Sequence, residues 1–378
     1  MSNIYLDYAA TTHVRKEVLE SYKKLLDVNY ANSDSIHKLG SEASLYLSKA
    51  RKQVAELLKV KEKEILFTSG SSESNNLAIK GVAFAYKSRG NHIITSMIEH
   101  PSVLDSCKWL EENFGFEVTY LPIENDGSVS LESLKKALRK DTILVSIMAI
   151  NNELGSINDI KSLSKYVKEN SNALFHCDAT QAMGKENIDY TYVDLYNFSS
   201  HKIYALKGSS VLVKKEKVRL LPLISGGQQE FGIRGGTSNW QSHVMTSKAL
   251  RITLDNFEIE HNHVKEIHDY LLKKLKDTFE NQIVINSPSN GSVYIVNFAF
   301  LNKRGEIIVN ALSELGIYVS SKSACSSYSK EFSTSVYALT NDEFISKNSL
   351  RVSFSYLTSK EEIDIFVKSL KEIVDSLA

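Results

Sequence analysis

An α/β protein built on a mainly parallel sheet is the fold class that this sequence predicts, and three observations predict it. Short apolar runs of strand length alternate with segments of helical spacing through the first two thirds of the chain, the pattern of βαβ units. Polar and hydroxyl residues gather at the carboxyl ends of those runs, where open α/β sheets bind ligands. At 378 residues the chain also exceeds the size at which one core stops growing, so a second domain is expected.

The strand candidates, in order, are 65–67, 92–94, 118–120, 142–150, 173–177, 193–198 and 210–213. Between them, 41–60 carries Leu47, Ala50, Val54, Leu57 and Leu58 as a helical stripe, and 76–86 returns to the same spacing. The texture changes after about Asp255. A charged amphipathic helix is predicted over 261–279, with Val264, Ile267, Leu271 and Leu275 on one face. A strand at 293–298, a helix at 306–315 and strands near 317–320 and 350–354 follow. A last helix over 360–377 turns Ile363, Phe366, Val367, Leu370 and Val374 inward. The expected division is a large domain, 15–254, and a smaller α/β domain made of 1–14 and 255–378.

Composition narrows the function classes. Hydrophobic residues at 42% and charged residues at 24% describe an ordinary soluble globular protein. Lysine plus arginine equals aspartate plus glutamate at 45 each, which gives no argument for nucleic acid or an acidic membrane surface. No apolar run approaches the roughly 18–20 residues of a membrane span, and the first ten residues lack the basic-then-apolar layout of a secretory signal. Three cysteines, without a metal-ligand spacing, argue against a disulfide framework and for a reducing compartment, with the cytoplasm as the expected location.

The residues that carry chemistry sit at the ends of predicted strands. Ser199-Ser200-His201-Lys202 follows the apolar run 193–198. A lysine there can lose its charge by desolvation and attack a carbonyl as a free amine. The cofactor that needs such an amine is pyridoxal phosphate (PLP). Thr68 to Ser74, hydroxyl-rich around Gly70 and opening a helix, offers backbone N–H groups and a dipole to a phosphate. Asp178 ends the run 173–177, and a carboxylate so placed needs a cation such as the PLP ring nitrogen. Asn152 follows the run 142–150, and His100 ends the region begun at 92, where an imidazole can stack on a ring or shuttle a proton. Gly226-Gly227 and Gly235-Gly236-Thr237 form a loop rich in backbone donors. Finally, Cys325 lies in a serine-rich stretch, 320–329, almost devoid of apolar residues, so it is expected to be exposed and available for thiolate chemistry.

Taken in order, these motifs resemble those of cysteine desulfurases of the NifS/IscS type, within the class V aminotransferase family. The resemblance rests on Leu6-Asp7-Tyr8-Ala9-Ala10-Thr11-Thr12, Phe67-Thr68-Ser69-Gly70, Glu73-Ser74-Asn75-Asn76 and Glu99-His100. It continues through Asn151-Asn152-Glu153-Leu154-Gly155, Asp178-Ala179-Thr180-Gln181, His201-Lys202-Ile203-Tyr204, Gly236-Thr237, Ser323-Ala324-Cys325-Ser326-Ser327 and Arg351-Val352-Ser353-Phe354. It implies the PLP-dependent aminotransferase-like fold of type I, with a seven-stranded sheet in the large domain. It also implies that Lys202 holds PLP, Asp178 pairs with the ring nitrogen, Asn152 and Gln181 bond the phenolate side, and His100 stacks on the ring. Ser71, Ser72, Ser199 and His201 would hold the phosphate, with Thr237 reaching the phosphate of the other subunit of a homodimer. Arg351 would clamp the carboxylate of L-cysteine, helped by Asn152, and Cys325 would receive its sulfur as a persulfide. The acceptor would be a protein such as an iron–sulfur scaffold or a tRNA-thiolating enzyme.

Departures from the family pattern are Lys322 for a glycine, Ala205-Leu206 for Gly-Pro, Ser72 for threonine and Ser355-Tyr356 for Gly-Arg. Phe332-Ser333-Thr334 also lacks a usual proline. The rival readings are a selenocysteine lyase or aminotransferase, and a non-catalytic scaffold for sulfur transfer.

Overall fold

The computed structural model describes residues 3–321 and 332–377. Cys325 and Lys322 lie outside the described residues. Twelve strands are found among the described residues: β1 (Ile4–Tyr5), β2 (Ile65–Thr68), β3 (His92–Ser96), β4 (Glu117–Leu121), β5 (Thr142–Ser146), β6 (Leu174–Asp178), β7 (Leu195–Ser199), β8 (Ser210–Lys214), β9 (Ile283–Ile285), β10 (Ile295–Phe300), β11 (Ile317–Tyr318) and β12 (Ser349–Ser353).

Seven of them form one sheet in the order β2-β8-β7-β6-β5-β3-β4. Only β8 runs against its neighbours, so β2, β3, β5, β6 and β7 present their carboxyl ends at one edge. Every residue of β2, β3 and β5 to β8 is buried, as expected of strands covered on both faces. One apolar layer sets Phe67, Val145, Phe175 and Phe198 against helices Trp240–Asp255 and Ile160–Asn170. The other sets Leu66, Ile93, Leu144 and Leu212 against helices Ser71–Tyr86 and Pro101–Phe114.

A separate apolar cluster surrounds a three-stranded antiparallel sheet, β12-β10-β9. Val264, Leu271, Phe366 and Leu370 pack onto Val296, Phe298 and Val352, from helices Phe257–Phe279 and Lys360–Ser376. Ile4, Leu6 and Ala9 belong to this cluster although they come from the start of the chain. β1 pairs with β11, and Asp7 bridges to Ser353. Among the described residues no helix is long and apolar enough to cross a membrane.

Two sequence expectations change. The run 142–150 is a strand only to Ser146; beyond it Met148 and Ile150 line a cavity, while Ile147 and Ala149 stay in the apolar core and donate to the His176 and Asp178 carbonyls. The helix expected over 76–86 begins at Ser71, because serines suit a first turn even though they are poor interior helix formers. Ser71 and Ser72 are therefore first-turn residues with backbone N–H groups that have no intrahelical acceptor.

Candidate active site

A cavity of about 350 Å³ opens at the carboxyl edge of the large sheet. Lys202, Asp178, His100, Asn152, Gln181, Ser71, Ser72, Ser199, His201 and Arg351 all line it. Thr237 does not; it is exposed on the loop after Arg234.

Lys202 stands in the short helical turn Ser200–Lys202 that follows β7. Its Nζ donates to the Ala10 carbonyl at 2.6 Å and also to the Ala9 carbonyl. The segment carrying those carbonyls is stitched over the lysine turn. Thr12 N donates to His201 O at 3.0 Å, Arg15 N to Tyr204 O at 3.0 Å, and Tyr204 N to Thr12 Oγ1 at 3.0 Å. Tyr204 has φ +64°, a left-handed conformation that costs a bulky residue on the order of 1–3 kcal/mol. Its surroundings hold it there: the Arg15 guanidinium lies 4.7 Å from its ring and the Tyr356 ring 5.0 Å away. The unusual Tyr356 thus buttresses the backbone just after the lysine.

Asp178 closes β6 and is 5% exposed. Oδ1 accepts from Thr180 N at 2.9 Å and Oδ2 from Asn75 Nδ2 at 2.7 Å. A carboxylate has about four lone-pair sites, so room remains for one more donor. Asn75 Nδ2 also donates to Ser102 Oγ at 2.8 Å, and Ser102 Oγ lies 2.8 Å from His100 Nδ1. Ser102 N donates to the same nitrogen at 3.1 Å. Nδ1 is therefore an acceptor, and the neutral ring carries its proton on Nε2. Burial holds His100 below the ordinary histidine range, with the Asp178 charge working the other way. The turn carrying His100 is fixed by Glu99, whose Oε1 accepts from Ser96 Oγ at 2.7 Å and Met148 N at 2.9 Å. Burial pushes that carboxyl up to about 8.

Lys202, Lys207 and Arg351 line the cavity and make it cationic, and Lys185 lies behind Gln181. Burial and then the charges of Lys202, Lys207 and Lys185 push the His201 imidazole down to about 3, so it serves as a neutral hydrogen-bonding group. Its Nδ1 is 3.1 Å from Thr11 Oγ1. Ser71 Oγ is 2.8 Å from Thr180 Oγ1, which ties the first turn of the helix to the end of β6.

Arg351, on β12, is 1% exposed. Nη2 pairs with Asp7 Oδ1 at 2.7 Å and Nη1 donates to the Asn152 carbonyl at 2.9 Å. Nε is buried and makes no hydrogen bond with the described residues. A buried guanidinium keeping a donor in reserve beside a cavity suits an incoming carboxylate. Asp7→Asn removes the anionic partner and is expected to lower stability by about 3 kcal/mol, read as an earlier thermal unfolding of the ligand-free protein.

Lining the cavity with a strand-end lysine, a buried aspartate, a helix N-terminus and several cations fits PLP. Lys202 would hold the aldehyde carbon, Asp178 the ring nitrogen, and Ser71, Ser72, Ser199 and His201 the phosphate. Sequence reasoning gave no role to Asn75, Ser102, Asp7 or Lys185. The i, i+4 spacing of Ser71 and Asn75 on one helix face could have indicated Asn75.

A family model described as aminotransferase class-V matches residues 4–366. A cysteine desulfurase IscS of Dictyoglomus turgidum is 41% identical over 377 residues, covering 99% of this chain and 95% of that protein. One from Methanosarcina thermophila is 40% identical over 379 residues, covering 99% and 92%. A solved structure titled NifS-like protein superposes with a TM-score of 0.92 at 35% identity, covering 99% of this chain and all of that one. The structure of SspA in complex with cysteine gives 0.81 at 33% identity, covering 95% of this chain and 100% of that one. With these matches running nearly end to end over the fold and cavity just described, the chain belongs to the class V aminotransferase family.

Proposed function

We propose that this chain is a PLP-dependent cysteine desulfurase. It converts L-cysteine to L-alanine and leaves the sulfur as a persulfide on Cys325, for transfer to an acceptor protein of iron–sulfur assembly or tRNA thiolation. The observation that carries the reading is Lys202 set among Asp178, His100 and Arg351 in one cationic cavity.

PLP, when bound, supplies the electron sink that makes the Cα proton of an amino acid removable. Arg351 binds the substrate carboxylate through its free donors, Asp7 and the Asn152 carbonyl having fixed the plane of the guanidinium. Lys202 Nζ, once deprotonated, is the base for the Cα proton. His100 offers a proton at Nε2. The Cys325 thiolate attacks the substrate sulfur: the S–S bond forms as the C–S bond breaks, and the bonding pair stays with carbon. Cysteine plus the enzyme thiol then equals alanine plus the persulfide, with no external oxidant.

The reading divides the chain into a cofactor-holding domain, 15–254, and a smaller one, 1–14 with 255–378, supported by their separate apolar clusters. It places the protein in the cytoplasm, in keeping with Cys107 and Cys177 as buried thiols. It also makes the enzyme a homodimer. Tyr30 and Ile36 are 82% and 100% exposed, and Leu39, Leu45 and Phe231 are exposed as well. A hydrogen bond of 2.6 Å from Gln229 to Asp34 joins the two segments. An apolar patch of this kind marks an interaction surface, and Thr237 lies on the same loop as Phe231. Thr237→Ala is expected to weaken PLP retention, and added PLP to stabilise the dimer. Equilibrium dialysis and sedimentation read both; a fully active monomer contradicts the assembly.

Incubation of the enzyme with cysteine and a reductant, without a keto acid, tests the activity itself. Alanine and sulfide in equal amounts are expected. An absolute need for a keto acid points to an aminotransferase, and turnover confined to selenocysteine to a lyase.

A further inference from the structure

The Gln181 carboxamide can sit either way round, and its neighbours decide which. On one side, Lys185 Nζ donates to Oε1 at 3.2 Å; on the other, Nε2 donates to the Ala9 carbonyl at 2.9 Å. A lysine amine held this way donates and a carbonyl only accepts, so both ends of the amide are fixed. The second Nε2 hydrogen is left for the cavity that Gln181 lines.

Lys185 is an uncommon residue to find in this place. It is 4% exposed, and among the described residues it forms no ion pair, although the Arg351 and Glu186 charges both act on it; the Tyr294 ring is 5.8 Å away. Burying an amine that no carboxylate pairs directly is costly, so sheer packing does not explain it. Burial, and then the Arg351 charge, brings its pKa down to about 8, with the Glu186 charge working the other way. Its backbone is held as well: Gly184 has φ +69°, where a Cβ would meet Thr253 Cγ2 at 2.4 Å, and the Lys185 carbonyl lies 3.0 Å from His261 Nδ1.

We infer that Lys185 is a positioning residue that, together with the Ala9 carbonyl, locks the Gln181 carboxamide with its N–H toward the cavity, so that the phenolate side of the cofactor meets a donor and not a carbonyl oxygen. This rests on the reading of the cavity as the PLP site with Lys202 as its anchor.

The test is the pH titration of the visible band of the PLP-loaded enzyme, in the parent and in Lys185→Met, Lys185→Arg, Gln181→Ala and the Lys185→Met/Gln181→Ala double variant. Lys185→Met should raise the apparent pKa of the band by about one unit, because Oε1 then has lost its donor, only the Ala9 carbonyl still holds the Nε2 end, and each turn of the amide oxygen to the phenolate favours keeping the proton they border. Lys185→Arg should restore the parent value. The double variant should titrate like Gln181→Ala alone, since nothing is left to orient. A parent-like titration of Lys185→Met overturns the inference, as does a shift of the same size with alanine at 181, which is a charge effect. Where Lys185→Met fails to fold, Lys185→Gln, a neutral donor, should keep the parent titration; a one-unit shift there overturns the inference. A parent enzyme with no visible band that borohydride fixes onto Lys202 removes the reading of the cavity itself.

Discussion

Cys325→Ser is expected to retain PLP and its visible band, to show a shifted band when cysteine is added, and to form neither persulfide nor alanine in stoichiometric amount. In the proposed mechanism the residues that line the cavity act on the carbon skeleton, and they remain intact in this variant. The serine hydroxyl ionises poorly and cannot hold sulfane sulfur, so the reaction stops where sulfur must leave. Cys107→Ser and Cys177→Ser should keep both activities. Both thiols are fully buried, and burial pushes each well above the ordinary thiol range, so neither supplies a thiolate. Mass spectrometry after one turnover reads the site as an addition of roughly 32 Da on the peptide containing Cys325. The same addition at Cys107 or Cys177 would overturn the assignment.

Lys202→Ala is expected to lose the absorption near ~400 nm that a lysine-bound cofactor gives, and to lose turnover by roughly three orders of magnitude. Two functions vanish with one amine: covalent retention of PLP and the base for the Cα proton. The fold should survive. The Ala9 carbonyl still accepts from Gln181, and the Thr12–His201 and Arg15–Tyr204 backbone hydrogen bonds do not involve the side chain. Absorbance and borohydride reduction followed by peptide mapping read the outcome. Cofactor still fixed to the chain by borohydride would mean that another lysine holds it.

Much of the site was legible because strand ends announce themselves. Asp178, Ser199, His201 and Lys202 follow apolar runs whose burial the structure reproduces, and sheet order then brings them to one edge. Asn75 and Ser102 were not legible. Each is an ordinary polar residue on its own helix, and its role exists only where the two helices meet Asp178 and His100. Lys185 hid for another reason: a lysine four residues after Gln181, in a turn, reads as solvent-facing, and only its burial says otherwise. Residues 147–150 misled in the opposite direction, since an apolar run reports burial and not where a strand ends.

The stitching of residues 7–15 over the lysine turn has a consequence for how the molecule is made. Asp7 and Ala9 reach Arg351 and Ser353, partners 344 residues away in sequence. On a ribosome the earlier segment therefore waits for one made 344 residues later before either side of the pocket is complete. The seven-stranded sheet can form while synthesis continues, but the carbonyls that receive Lys202 come into place only after β12 leaves the exit tunnel. Cofactor capture then follows the synthesis of β12, and chains truncated before β12 should accumulate as colourless, folded large domains.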